Sequence, residues 1–477
     1  MNSQADGRGE SPHHMMMRGA GDEDGAGEVR PQVWARSRPL SPKIEWAILG
    51  LIYLAYFLLA WGYATQTPDW QIPDEPAHYN YVRQVVETHQ LPVIEMGDWN
   101  QEYQVTLVAT GFDEAYTDRL DQIQYEDHQP PLYYLLQTLA YPDLTHMRLF
   151  SALIGSGIII CTWALVRRMT HMPILALSAA AFVAFIPQRL AIMGGLSNDS
   201  LAETLVALTL LVMTSYLSTE QPQPRLALAM GVLVGLVFLT KTTAYYVAGV
   251  AGIAILLRWW RERWALPVAL RHIGLYAVPA LLMGSIWWVH GIQTYGGTDI
   301  LGLQRHDEVV VGQLRTEDYI NIELGGSQRL YWENLTRTTF QSFWGQFGWM
   351  AFPFKPDVFR LLRLWCVLTL IGLGIYGVSQ YRHWTRLQWE WHVLLLLSIT
   401  LVGAQFLLYN RSFVQFQGRY LYPALIPVAY SVALGWEGWV VPLQRRFPLI
   451  QWLPLLVTST FVALSWYALD RVVSLLP

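Results

Sequence analysis

The chain has 477 residues, 53% of them hydrophobic and only 14% charged, with 22 tryptophans and a formal net charge of −4. That much apolar side chain exceeds what a soluble core of this length can hold, and apolar runs close to 20 residues recur from residue 44 to the end, so lipid is the solvent for much of the chain. No basic face accumulates outside the loops, which argues against a nucleic-acid partner, and the only two cysteines, Cys161 and Cys366, lie inside apolar runs, which excludes a disulfide framework or a cysteine zinc site.

Residues 1–43 are rich in Gly, Arg, Asp and Pro and lack an apolar h-region, so they read as a disordered cytoplasmic tail rather than a cleavable signal peptide. The rest, 44–477, reads as one all-α, polytopic helical membrane domain. Apolar runs near 44–65, 147–168, 173–192, 200–217, 227–240, 244–260, 269–290, 357–379, 392–409, 420–438 and 450–469 predict about eleven transmembrane helices. Basic loops at 167–168, 258–263, 381–386 and 445–446 alternate with basic-poor ones, and the positive-inside rule makes the basic side, with the N-terminus, cytoplasmic. The two longest loops, 66–146 and 291–356, then face outside.

In the first of these loops, Ala77, Tyr81 and Val85, flanked by Val82 and Val86, recur at helical spacing and predict an interfacial amphipathic helix over about 75–88. Asp74 stands at its N-terminus. A second half-apolar stretch, 128–141, is opened by a Pro pair, is too short to span, and reads as another interfacial helix.

Asp74 and Glu75 invite two readings. Acids in a first turn cap the helix and complement its dipole, whereas a carboxylate at the water boundary with His78 four residues on suits a general base. Glu126, Asp127 and His128 form a second acidic cluster in the same loop, whose oxygens suit Mg²⁺ or Mn²⁺; a solvated loop is the plainer alternative. At 197–199, Ser197 or Asn198 reads as a helix cap, while Asp199 at a membrane edge is expensive if unpaired. Arg189, Lys241, Arg411 and Arg419 fall on short outside connections, against the positive-inside trend. Each alone is explained by snorkelling to headgroups; four together on the acids' side point to a phosphate site. The stretch 338–353 reads as an aromatic belt or, through Gly345 and Gly348, as a close-packed turn, and Asn334 and Asn410 open glycosylation sequons.

The order of "PDEPAHYNYV", "HQPPLYYLL", "MRLFSALIG", "SNDSLAETL", "GLVFLTKTTA", "SFWGQFGW" and "QGRYLYPAL" resembles polytopic GT-C-type glycosyltransferases over roughly residues 45–430. The resemblance is greatest to bacterial and archaeal predicted membrane proteins related to the dolichyl-phosphate-mannose protein mannosyltransferase-like enzymes. It implies inverting transfer of a sugar from a polyprenyl-phosphate carrier to a glycan, lipid or protein acceptor on the extracytoplasmic face of a bacterial or archaeal cell membrane. The acid of the first outside loop, which the resemblance makes the base, carries over to Asp74 with Glu75 beside it; a second acid matches Asp127 or Glu126 loosely, which leaves a divalent cation open. His78, His128 and the four cations fall to substrate binding. Inverting displacement needs one carboxylate to take the acceptor's proton, and a phosphate leaving group needs positive charge rather than an acid. The rival classes are a lipid-linked sugar transporter or flippase and a glycan ligase or polymerase. A transporter would show mid-span charges and broken helices in paired halves, whereas here the charges cluster at one face.

Overall fold

The computed structural model describes residues 40–444 and 446–476. The expected tail up to residue 39, and Arg445 of the last basic loop, lie outside the described residues.

All eleven apolar stretches are helical, and the chain is an integral, multi-pass helical membrane protein. Nine helices among the described residues are long and apolar enough to cross a membrane. Two stretches fall short of the sequence expectation for distinct reasons. Pro187 has no N–H to continue the preceding helix, so 173–192 breaks into Pro173–Ala184 and Pro187–Met193, bent by 63°. Pro224–Phe238 has 15 residues, about 22 Å of helix against a hydrocarbon core of about 30 Å. It packs closely on Leu266–Tyr295, where Gly231 lies against the Tyr276 backbone and any Cβ would clash. The first span, Pro42–Gln66, starts at Ser41, whose hydroxyl accepts from the Ile44 N–H, with Pro42 in the first turn. Leu51, Leu54, Leu58 and Trp61 form its exposed stripe, toward lipid, while Tyr56, Leu59, Ala60 and Tyr63 are buried inside the bundle.

The connections sort onto two faces. Glu45 at the start of the first span accepts from Arg167 at the end of Leu144–Thr170 (3.0 Å), and Arg261 at the end of Thr242–Glu262 pairs with Glu390 at the start of Arg386–Tyr409. These are the basic ends. The loops 66–146 and 291–356, the turn after Met193, the turn at Lys241 and the segment 410–417 meet at the opposite face. That arrangement requires both the broken pair and the short helix to cross.

On the opposite face the two long loops build a cap around a small core of Ala77, Tyr103, Leu107, Phe112, Ile123, Tyr125, Val310 and Phe413. The predicted helix is present as Glu75–Thr88. Its apolar face, however, is turned into the protein rather than onto lipid. Tyr81 stacks on Tyr134 at 3.6 Å, and Asn80 donates to the Leu120 and Ile123 carbonyls. The second predicted helix shrinks to Leu132–Gln137, and a helix over Gln101–Ala109, capped by Asn100, appears where none was expected. The second loop contributes Leu303–Val309 and Gln328–Trp344, followed by a hairpin pairing Gln346–Phe347 with Phe352–Pro353.

Candidate active site

Between cap and bundle lies a cavity with two lobes. A lobe of about 320 Å³ lies at the span ends, lined by Lys241, Arg419, His78, His128 and the end of Arg386–Tyr409. A lobe of about 490 Å³ lies under the cap. Asp74, Glu126, His306, Tyr409 and Tyr420 line both.

Asp74 occupies the N-cap position of its helix yet makes no capping bond, because its backbone is left-handed (φ 69°). The side chain turns instead to the cavity, where it accepts from the Tyr125 hydroxyl (2.8 Å) and pairs with the Arg419 guanidinium. Helix capping is therefore not its role. Burial pushes its carboxyl up, but the Arg419 charge, with His78 and the Arg419 and Tyr125 hydrogen bonds, outweighs burial and holds it at about 2.

Lys241 donates to Asn198 Oδ1 (2.7 Å) and Asp199 Oδ1 (2.6 Å). This is the partner that makes an acid at the membrane edge tolerable. Asn198 also donates to the Tyr134 hydroxyl (3.3 Å), which contacts His78 Nδ1 (3.0 Å), so Lys241 and His78 belong to one polar network. Burial pushes His78 down to about 3, the opposing charge of Asp74 notwithstanding, and the ring is neutral. Two of the four cations singled out in the sequence, Lys241 and Arg419, thus reach the same lobe as Asp74.

The other two do not. Arg189 is fully buried in the broken span, where it pairs with Glu203 (2.8 Å) and donates to the Gly155 and Val183 carbonyls, bracing the bend. Arg411 is exposed and lines neither lobe. Glu75 is also placed elsewhere. It is wholly buried against Arg148 (2.8 and 2.6 Å) and accepts from the Trp70 and Leu196 backbone N–H groups. Arg148 in turn donates to the carbonyls of Ala64, Thr67 and Pro68, closing the C-terminal end of the first span. Every lone-pair direction of Glu75 is committed, so its geometry is that of a structural clamp. The sequon residue Asn410 is likewise buried, bonded to Phe406 and Gln415.

The second acidic cluster splits. Glu126 lines both lobes, and burial, then the charge of Asp74, pushes its carboxyl up to about 7. Asp127 lines neither lobe; Gln84 donates to it (2.6 Å), and burial pushes its carboxyl well up. Among the described residues no group of three or more His, Cys, Asp or Glu is placed to hold a metal ion, and of the two acids only Glu126 faces the cavity. His128 lines the span-end lobe beside His306, ring centroids 4.5 Å apart, and burial holds both imidazoles below their ordinary value.

Some contributors have no sequence signal: His306, Tyr409 and Trp99 come from segments whose fold-back composition does not predict. Trp349 and Tyr420 lie in stretches that the sequence does mark, 338–353 and "QGRYLYPAL", without a site role attached to either. Trp70, Asp74, Phe112, Trp349 and Met350 all have positive φ; Asp74 and Trp349 line the cap lobe, and Trp70 and Phe112 belong to the apolar cluster beside it, and strained backbone of this kind gathers at functional sites. The predicted close turn at 338–353 is this hairpin, with Gly348, Trp349 and Met350 successively left-handed.

Residues 127–295 match the family described as dolichyl-phosphate-mannose-protein mannosyltransferase. The matched third of the chain contains Asp127, Arg189, Asp199 and Lys241, and it bears out the resemblance seen in the sequence motifs; Asp74 and Arg419 lie outside it. No curated protein matches the chain. Among solved structures, ArnT from Cupriavidus metallidurans in the apo state aligns with TM-score 0.48 and 13% identity over 83% of this chain and 60% of that one. The same protein bound to undecaprenyl phosphate aligns with TM-score 0.43 and 12% identity over 91% and 74%. The chain thus spans less than two thirds of the apo ArnT structure.

Proposed function

We propose that this multi-pass membrane protein is a GT-C-type glycosyltransferase, moving a sugar from a polyprenyl-phosphate carrier to an acceptor hydroxyl at the cap face, with inversion and with Asp74 as general base. The observation that carries the reading is the convergence of Asp74, Arg419 and Lys241 on one lobe at the span ends. A carrier whose lipid tail cannot leave the bilayer needs its phosphate site there. The apolar side chains Val402, Phe406 and Leu408, at the end of a span, continue that lobe toward lipid.

In the step itself, the acceptor hydroxyl gives its proton to the Asp74 carboxylate while its oxygen bonds to the anomeric carbon. The bond from that carbon to the phosphate oxygen breaks on the opposite face, and the carrier leaves as polyprenyl phosphate, its charge held by Arg419 and Lys241. A carboxylate at about 2 is a weak base. Phosphate binding supplies the remedy: it draws Arg419 from Asp74 and adds a negative charge beside it, and both changes raise the carboxyl. A specific observation favours a second reading, with Glu126 as the base, since its carboxyl already stands at about 7 in the same cavity.

The same reading puts the cap face outside and the basic ends, with residues 1–43, in the cytoplasm of a bacterial or archaeal cell. It is tested by incubating the purified protein in nanodiscs with polyprenyl-phosphate sugars and following release of the carrier. Carrier release supports transfer; flipping of the intact donor between leaflets without release assigns the protein to transport.

A further inference from the structure

We infer that the cap lobe is the acceptor site and that it takes an uncharged carbohydrate, an inference that rests on the transferase reading above. The lobe meets the phosphate lobe at Asp74, Glu126, His306, Tyr409 and Tyr420, and apart from the two tyrosines at span ends it is built from chain outside the spans. An acceptor must approach the anomeric carbon from the side opposite the phosphate, with the base between them. The cap lobe is the side that remains.

Its chemistry defines the ligand. Among the described residues no lysine or arginine lines it, so nothing there holds the phosphates of an anionic lipid or glycan. Side-chain amides take their place. Gln101 and Gln104, one turn apart on Gln101–Ala109, and Gln313 from the other loop line the lobe together. Gln104 is only 7% exposed, yet neither its Oε1 nor its Nε2 has a partner, and Oε1 of Gln101 and of Gln313 is likewise buried and unpartnered. Buried amides are rarely left so, because each unmade bond costs free energy. A carboxamide presents a donor and an acceptor side by side, which is the complement of a sugar hydroxyl, itself both donor and acceptor.

Two indoles complete the lobe. Trp349 donates its N–H to the Trp70 carbonyl (2.9 Å) and Trp99 donates its own to the Val311 carbonyl (3.1 Å). Trp349 stacks on Phe112 and Trp99 packs edge-on with Tyr125; with their polar edges spent, what the two rings present to the lobe is apolar, which suits the C–H face of a sugar ring. An extended peptide asks instead for a row of backbone partners along one edge, whereas the lobe presents side-chain amides, two from the helix Gln101–Ala109 and one from the other loop.

The test uses the full chain in nanodiscs and saturation-transfer NMR with maltotriose, mannotriose and chitotriose, alongside glucose 6-phosphate and a serine-rich decapeptide. Binding of undecaprenyl phosphate is measured on the same samples. At least one neutral trisaccharide is expected to bind the parent and to bind about tenfold more weakly to Gln104→Ala and to Gln313→Ala, with undecaprenyl phosphate binding unchanged in both. Unchanged lipid binding is the control that the variants are folded, and two variants on separate segments keep the test decisive should one not fold. Absence of trisaccharide binding, binding indifferent to both substitutions, or Gln104-dependent binding of the sugar phosphate or the peptide instead would each overturn the inference. Failure of the parent to bind undecaprenyl phosphate would count against the donor reading separately, leaving the carbohydrate result to stand on its own.

Discussion

Replacing Arg148 by methionine separates a structural Glu75 from a catalytic one. Arg148 makes five hydrogen bonds, two to Glu75 and three to the carbonyls that end the first span. Both side chains are at most 1% exposed. Arg148→Met leaves a buried carboxylate facing only two backbone N–H groups and strips a donor from three carbonyls. Removing one member of such a pair costs about 3–5 kcal/mol, a large share of the roughly 5–15 kcal/mol that keeps a domain folded. Glu75→Gln strands the guanidinium instead and should fall in the same range, while the double change Glu75→Leu with Arg148→Met removes both charges and should cost less than either single one. The assay is the fraction of protein that stays monodisperse on size exclusion after heating in detergent, an operational measure that does not require reversible unfolding. Surviving Glu75→Gln protein should turn over within several-fold of the parent. A Glu75→Gln variant as heat-resistant as the parent but reduced a thousandfold in turnover would refute the clamp and return Glu75 to the chemistry.

Lys241→Ala and Arg419→Ala should each weaken donor binding about ten- to a hundredfold, since each charge-assisted contact contributes about 1.5–3 kcal/mol; parent-like affinities measured at fixed ionic strength for both would mean that they do not hold the phosphate. Arg419→Lys should lose more than Lys241→Arg, because only the guanidinium makes a forked contact. The pH dependence of kcat/KM distinguishes the two candidate bases: with Asp74 ionised far below neutrality the rate is flat from pH 5 to 8, whereas dependence on ionised Glu126 lowers it about tenfold per pH unit below about 7. Glu126 also couples to stability. Its folded carboxyl lies above the unfolded value, so the stability linked to its protonated form is complete below the unfolded value, near 4.5, and is lost as pH rises through about 7. Glu126→Gln should therefore raise heat resistance at pH 8, by on the order of 2–3 kcal/mol, and change little at pH 5; no gain at pH 8 would place Glu126 in a wetter site than the structure gives it.

The helices were legible because lipid imposes length and apolarity on each stretch, and that signal survives in a single sequence. What failed was local. Pro187 is visible, but a bend and a straight span have the same hydropathy, and the 15-residue helix Pro224–Phe238 leans on its neighbours for the rest of a crossing. Among the charges, Asp74, Lys241 and Arg419, which meet in one lobe, stand out in the sequence because ionic groups at span ends need a reason. Arg189 has the same pattern, yet its reason is Glu203, fourteen positions on, and composition cannot tell a buried brace from a ligand site. Adjacency pairs Glu75 with Asp74 in the sequence, whereas one peptide step at a left-handed residue sends the two carboxylates to different places. The glutamines of the cap lobe left no trace in the sequence, since amides are ordinary in loops and only burial without partners marks them.

The central claim is tested most directly by mass-spectrometric measurement of polyprenyl-phosphate sugar consumption, in nanodiscs, by the parent and by Asp74→Asn, with undecaprenyl phosphate binding followed in parallel. Consumption by the parent and its loss in Asp74→Asn, by a factor of about a hundred or more with lipid binding retained, is the predicted result. Consumption that proceeds unchanged in Asp74→Asn, or a parent that binds the lipid and never releases it from its sugar, would contradict the account.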